Sequence, residues 1–141
     1  MKLTMLLADA VQAVNGKLYV LGGGWSIIGP EPTPSAIAMK VEVPWDEANK
    51  KHRFRLALID ADGHPVTAPT SGGDRPVEIA GEFEAGRPAG LKAGSPLDVV
   101  VALNIGPLPL QADSRYVWRC WIDEQTREDW EVGFSTRAKG R

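Results

Sequence analysis

Bulky side chains recur in this chain at every second residue over short stretches, and clusters of glycine, proline, asparagine or aspartate end each stretch. Val77 to Phe83 sets Val77, Ile79, Gly81 and Phe83 against Glu78, Ala80 and Glu82. Ala36 to Trp45 sets Met39, Val41, Val43 and Trp45 against Lys40, Glu42 and Pro44, and His52 to Asp60 sets Phe54, Leu56 and Leu58 against Arg53, Arg55 and Ala57. Successive Cβ atoms point to opposite faces of a strand, so a period of two buries one side of a segment and leaves the other to solvent. Nowhere does a 3.6-residue apolar period last the roughly 10 to 12 residues that a helix needs. The chain is therefore expected to be all-β.

The remaining segments agree. Leu3 to Ala8 reads as a first strand and Lys17 to Leu21 as its hairpin partner across Asn15-Gly16, since both turn residues tolerate positive φ. Leu97 to Ile105 (LDVVVALNI) is the most apolar segment and is expected at the centre of a sheet. Arg115 to Asp123 and Trp130 to Thr136 form a C-terminal hairpin around Glu124 to Asp129. Asp62-Gly63 turns the chain into His64 to Ala68, and Trp45 to Lys51 is a charged turn or a single helical turn. Gly29 to Ser35, Pro69 to Pro76 and Gly86 to Pro96 read as loops. About eight short strands with turn signals between them predict two packed antiparallel sheets, a β-sandwich of immunoglobulin-like or C2-like kind. One domain is expected over residues 1–141, because a chain of this length buries about 70% of its unfolded surface in one core.

Charge narrows the partners. Sixteen lysines and arginines stand against 18 acids, and a net charge of -2 gives no field to gather phosphate backbones or anionic lipid. Neither nucleic acid nor membrane is expected as a partner. No stretch approaches the ~18 apolar residues of a membrane span. Leu3 to Ala8, cut off by Asp9, is shorter than the core of an export signal, which takes about 7 to 15 apolar residues. With Cys120 as its only cysteine the chain forms no internal disulfide, and a reducing, cytoplasmic setting is expected.

The opening pattern, Ala8-Asp9-Ala10 with Gly16-Lys17-Leu18-Tyr19-Val20-Leu21-Gly22-Gly23-Gly24-Trp25, resembles small bacterial proteins of a domain-of-unknown-function type. Phe54-Arg55-Leu56, Asp60-Ala61-Asp62-Gly63 and Tyr116-Val117-Trp118 fit the same pattern. The resemblance implies a β-sandwich, and it implies no activity and no functional residues.

The residues themselves assemble no catalytic constellation. Gly22-Gly23-Gly24 lacks the lysine and hydroxyl of a phosphate loop and reads as a bulge beside Trp25. His52, His64 and Cys120 are a thin inventory for zinc, and Cys120 falls in phase with Tyr116 and Trp118, which places it in the core. Glu78, Glu82 and Glu84 share one solvated side, without the apolar pocket that separates the pKa values of a carboxylate pair. Asp60 and Asp62 before Gly63 look like half a calcium loop, which could be completed by Asp113, Asp123 or Asp129. No catalytic residue and no cofactor are assigned.

Tryptophan carries the functional expectation. Trp45, Trp118 and Trp130 fall on the apolar sides of their segments. In the Tyr116 to Ile122 alternation, Val117, Arg119 and Trp121 point outward, with Trp121 either exposed or lying under the Pro107 to Pro109 loop, and Trp25 sits in a glycine-rich turn beside a proline-rich loop. Exposed tryptophan and arginine are the residues that most often anchor interfaces. The expected role is a non-catalytic binding or assembly module, acting on a protein partner or by self-association through Val117, Arg119, Trp121 and Trp25. The alternative is a carbohydrate- or calcium-dependent ligand-binding sandwich using the same tryptophans with Asp60 and Asp62.

Overall fold

The computed structural model describes residues 1–140 and is all-β. Twelve strands occur among them: β1 (Lys2–Ala8), β2 (Ala10–Val14), β3 (Lys17–Leu21), β4 (Ile27–Ile28), β5 (Ser35–Val43), β6 (His52–Asp60), β7 (Thr67–Thr70), β8 (Gly73–Pro76), β9 (Glu78–Phe83), β10 (Leu97–Ile105), β11 (Arg115–Ile122) and β12 (Glu131–Thr136). One 3₁₀ turn at Trp45–Glu47 realises the expected helical turn. The strands form four sheets: β1-β5-β10, β4-β12-β11-β6-β9, and the two hairpins β2-β3 and β7-β8.

That arrangement corrects the count of about eight strands in two sheets. The additions are β2 and β4 and the β7–β8 pair, which takes in the Pro69 to Pro76 stretch expected as a loop. Antiparallel pairing holds throughout except between β12 and β4, which run parallel. Two pairings also differ from expectation. Asn15-Gly16 does make a hairpin turn, with both residues at positive φ, but it joins β3 to β2, while β1 pairs with β5. β10 lies at the edge of its sheet, bound only to β5, rather than at the centre.

The core lies between the two larger sheets. The three-stranded sheet sends inward Leu3 and Leu7 of β1, Ile37, Met39, Val41 and Val43 of β5, and Leu97 of β10. Phe54, Leu56, Leu58, Phe83, Tyr116, Trp118, Cys120, Ile122 and Phe134 of the five-stranded sheet join them in one buried cluster. Burying each such large side chain stabilises the fold by about 1.5–3 kcal/mol. Gly81 is part of this packing, because a Cβ there would stand 2.7 Å from the Phe54 ring.

A second, smaller cluster lies on the outer face of the three-stranded sheet. Ala8, Ala36 and Ala38 leave that face shallow, and the β2–β3 hairpin lies on it through Val11 and Leu18. Asn104 of β10 fixes the hairpin as a surrogate peptide group. Its amide oxygen accepts the Val11 N–H at 3.1 Å, and its Nδ2 donates to the Val11 carbonyl at 2.8 Å. No described helix is long and apolar enough to cross a membrane.

Candidate functional site

The outward stripe of β11 forms as the alternation requires. Val117, Arg119 and Trp121 are half-buried between the fully buried Tyr116, Trp118, Cys120 and Ile122. Register places Trp121 beside Arg55, Arg119 beside Ala57 and Glu131, and Val117 beside Ile59 and Gly133. The Arg55 guanidinium lies 4.1 Å from the centre of the Trp121 ring, a cation–π contact worth about 0.5–1 kcal/mol at a surface. Arg119 donates to the Glu131 carboxylate at 2.6 Å and to the Arg127 carbonyl at 3.2 Å, and Arg53 pairs with Glu82 at 3.6 Å. This face is thus a lattice of arginines and carboxylates with one covered tryptophan.

Trp25 lies elsewhere. It packs edge-on against the core residue Phe134, with ring centres 5.9 Å apart. It lines a cavity with Ile28, Pro30, Leu108 and Leu110, and its buried indole N–H has no acceptor among the described residues. The four residues expected to form one binding surface are therefore split between two places.

Asp60, Asp62 and His64 come together, with one ligand atom from each lying within 4.8 Å of the others. Asp60 Oδ1 already accepts the N–H groups of Asp62 and His64, both at 2.9 Å, which shapes the turn before Gly63. Asp113 lines the same concavity, as do Gln111 and the cationic Arg115. Asp123 is committed elsewhere. The two-residue turn Asp123-Glu124 has positive φ at both positions and folds the Asp123 side chain back onto the start of β6. There it accepts from His52 Nδ1 at 2.7 Å and from the Arg53 N–H at 3.0 Å.

His52 is 3% exposed and donates its other ring nitrogen to the Glu47 carbonyl at 3.0 Å. Both ring nitrogens thus face acceptors, an arrangement that suits the doubly protonated ring. Burial works to lower its pKa, but the Glu47 carbonyl, the Asp123 hydrogen bond and the negative charges of Asp123 and Glu47 together raise it above the ordinary value. For Asp123 burial works upward, and the His52 hydrogen bond, the Arg53 N–H and the His52 charge outweigh it and lower the carboxyl. Cys120 is fully enclosed. Burial pushes its thiol up to about 12, against a smaller lowering by Arg55, so almost no thiolate exists at neutral pH.

The most exposed apolar surface escaped the sequence argument. It is the β2–β3 hairpin with its neighbour in β1: Leu21 is 69% exposed, Tyr19 55%, Val14 41% and Leu6 40%. Lys17 to Leu21 reads as a strand with apolar residues on both sides, and that was the available signal. Val11 and Leu18 find the alanine face, whereas Tyr19 and Leu21 stay at the surface, where with Gln12 and Asn104 they line a shallow concavity. Large apolar side chains left exposed side by side, as Tyr19 and Leu21 are, mark interaction sites in soluble proteins.

Fold and site together describe an all-β protein whose surface offers an apolar hairpin, an arginine-covered tryptophan and an acidic turn. The chain belongs to a family of unknown function, DUF6941, whose profile matches residues 3–133. Comparison with curated protein sequences finds no match.

Proposed function

We propose that this protein is a non-catalytic binding or assembly module that works through protein contacts, with the β2–β3 hairpin as its principal surface. The observation that carries this reading is the exposure of Tyr19 and Leu21 on a hairpin fixed to the sheet by Asn104. An aromatic and an aliphatic anchor held on a preordered strand lose little entropy on binding, which is what interface hot spots require. The Val117, Arg119 and Trp121 stripe is a second contact surface, one that offers arginine planes and a tryptophan rather than a bare apolar face. A non-catalytic role is supported by the enclosed Cys120 thiol and by the engagement of both His52 nitrogens. The architecture proposed is a two-leaved sandwich of immunoglobulin-like or C2-like kind in which the hairpins are elaborations, and the setting proposed is the cytoplasm.

The test is affinity capture from the native host with the wild type, with Tyr19→Ser/Leu21→Ser and with Trp121→Ala, each checked by thermal unfolding. Loss of partners in the hairpin variant at unchanged melting temperature supports the reading. Equal capture by wild type and hairpin variant refutes it. Trp121→Ala reports separately on the stripe, and an unfolded Trp121→Ala protein would make Trp121 a packing residue only.

A second reading, calcium- or carbohydrate-dependent ligand binding, rests on Asp60, Asp62 and Asp113 around one concavity, with Trp25 or Trp121 as a sugar platform. A ligand present at about 100 times its dissociation constant adds about 2.7 kcal/mol to stability. Unchanged melting in calcium and across a glycan panel removes this reading.

A further inference from the structure

β10 is where the chain leaves the most pairing capacity unused. It runs nine residues without glycine or proline, and over its whole length it pairs on one side only, with β5. None of the backbone hydrogen bonds made by turns and loops among the described residues involves residues 97–105. Its outward N–H and C=O groups are therefore free to bind another strand, a liability that proteins normally guard with charge, proline or a covering segment. The other edges of the two larger sheets carry such guards. The β1 edge is engaged at Leu7, whose carbonyl accepts the Gly24 N–H at 2.7 Å. β9 carries exposed Glu78 and Glu82, and β4 is two residues long. On β10 the only charge is Asp98, which is paired within the chain to Lys40 at 3.7 Å.

We propose that β10 pairs with β10 of a second copy, antiparallel about a two-fold axis at Val101, so that two three-stranded sheets join into one of six strands. This deepens the protein-contact reading and rests on it. The second copy is favoured by the complementarity of the strand with itself. Full antiparallel overlap sets Leu97 opposite Ile105, Val99 opposite Leu103, Val100 opposite Ala102 and Val101 opposite its own symmetry mate. Asp98 then faces Asn104, so the single charge meets a neutral amide. The same operation on β9 about Ala80 would set Glu78 against Glu82, a like-charge pair. Val99, Val101, Leu103 and Ile105 share the inward face of their sheet yet are only half-buried, and a strand added beside them would cover them further. The exposed hairpin adjoins the same strand, because Tyr19 and Leu21 share their concavity with Asn104. Its apolar surface would enlarge the contact beyond a bare strand pair.

Sedimentation equilibrium tests this on the full chain. The wild type is expected at twice the 15.2 kDa chain mass. Val101→Lys and Val101→Glu each bring like charges together on the two-fold axis, and each should weaken self-association at least roughly tenfold. An equimolar mixture of the two should recover the dimer, because the axis then pairs lysine with glutamate. A second measurement holds if either variant unfolds. Val101→Cys should cross-link to its own copy on oxidation and Asp98→Cys should not, since position 98 stands opposite position 104. A monomeric wild type, a mixture that stays monomeric, or cross-linking at 98 as readily as at 101 overturns the proposal. A wild type that runs as a monomer yet loses its captured partners through Tyr19→Ser/Leu21→Ser removes self-pairing and leaves the protein-contact reading standing.

Discussion

Replacing His52 by phenylalanine keeps a ring beside Phe83, whose ring centre lies 5.3 Å from that of His52, and deletes both hydrogen bonds of the imidazole. The deletion separates three parts of the fold: the 3₁₀ turn at Glu47, the start of β6, and the β11–β12 turn at Asp123. A hydrogen bond to a charged group contributes about 1.5–3 kcal/mol, and a buried acceptor left unpaired costs about 1–3 kcal/mol. The Asp123 side chain is 47% exposed, so solvent screens its share and the lower part of these ranges applies. The expected loss is about 2–3 kcal/mol, or roughly 4–12 °C in melting temperature for a chain of this size.

The pH dependence has a definite sign. The pKa of His52 is raised in the folded state, so its contribution is complete below the unfolded value near 6.5 and is lost as pH rises through the folded value. The pKa of Asp123 is lowered, so its contribution is present above about 3.8 and is lost as pH falls through the folded value. The pair therefore stabilises most between those limits, and His52→Phe should abolish the alkaline decline. Urea unfolding followed by tryptophan fluorescence from pH 5 to 9, with the His52 ring proton titrated by NMR, reads both quantities. A wild-type stability that is flat across that range, or a His52 midpoint below 6.5, would refute the reasoning.

Three further outcomes follow from the packing. Gly81→Ala forces a methyl group to within 2.7 Å of the Phe54 ring and should cost about 1–3 kcal/mol in urea unfolding. Asn104→Ala strips the Val11 N–H and carbonyl of their partners and should cost about 1–2 kcal/mol, with hydrogen exchange accelerating in the β2–β3 hairpin before the core. Cys120 should resist alkylation at pH 8 in the native protein and react at the rate of a free thiol once the chain is unfolded in urea, which mass spectrometry reads directly.

The parts of this fold that sequence made legible are those where an intrinsic period meets a single buried face. Phe54, Leu56 and Leu58 alternate into the core as read, and so do Trp118 and Cys120. The parts it hid are those where a face is apolar for another reason. Leu97 to Ile105 is apolar on both sides, which suggests a central strand, yet its inner face meets the core while its outer face is partly covered by the hairpin. Nothing local tells one kind of cover from the other. Ala10 to Val14 lacked a strong alternation, and it became a strand because Asn15-Gly16 folds it against β3 and Asn104 anchors it from 93 residues away.

The chain's own periodicity and turn residues determined that it is all-β, where Asn15-Gly16 and Asp62-Gly63 reverse it, and which side of β6, β9 and β11 is buried. Those choices depend on pleat geometry and local φ, both properties of neighbouring residues. Only the tertiary structure decided that β10 is an edge, that Trp25 and Trp121 lie apart, that Arg55 covers Trp121, and that Tyr19 and Leu21 remain in solvent. Each of these depends on which distant strand arrives alongside, and that is fixed by the joint packing of two faces rather than by either segment alone.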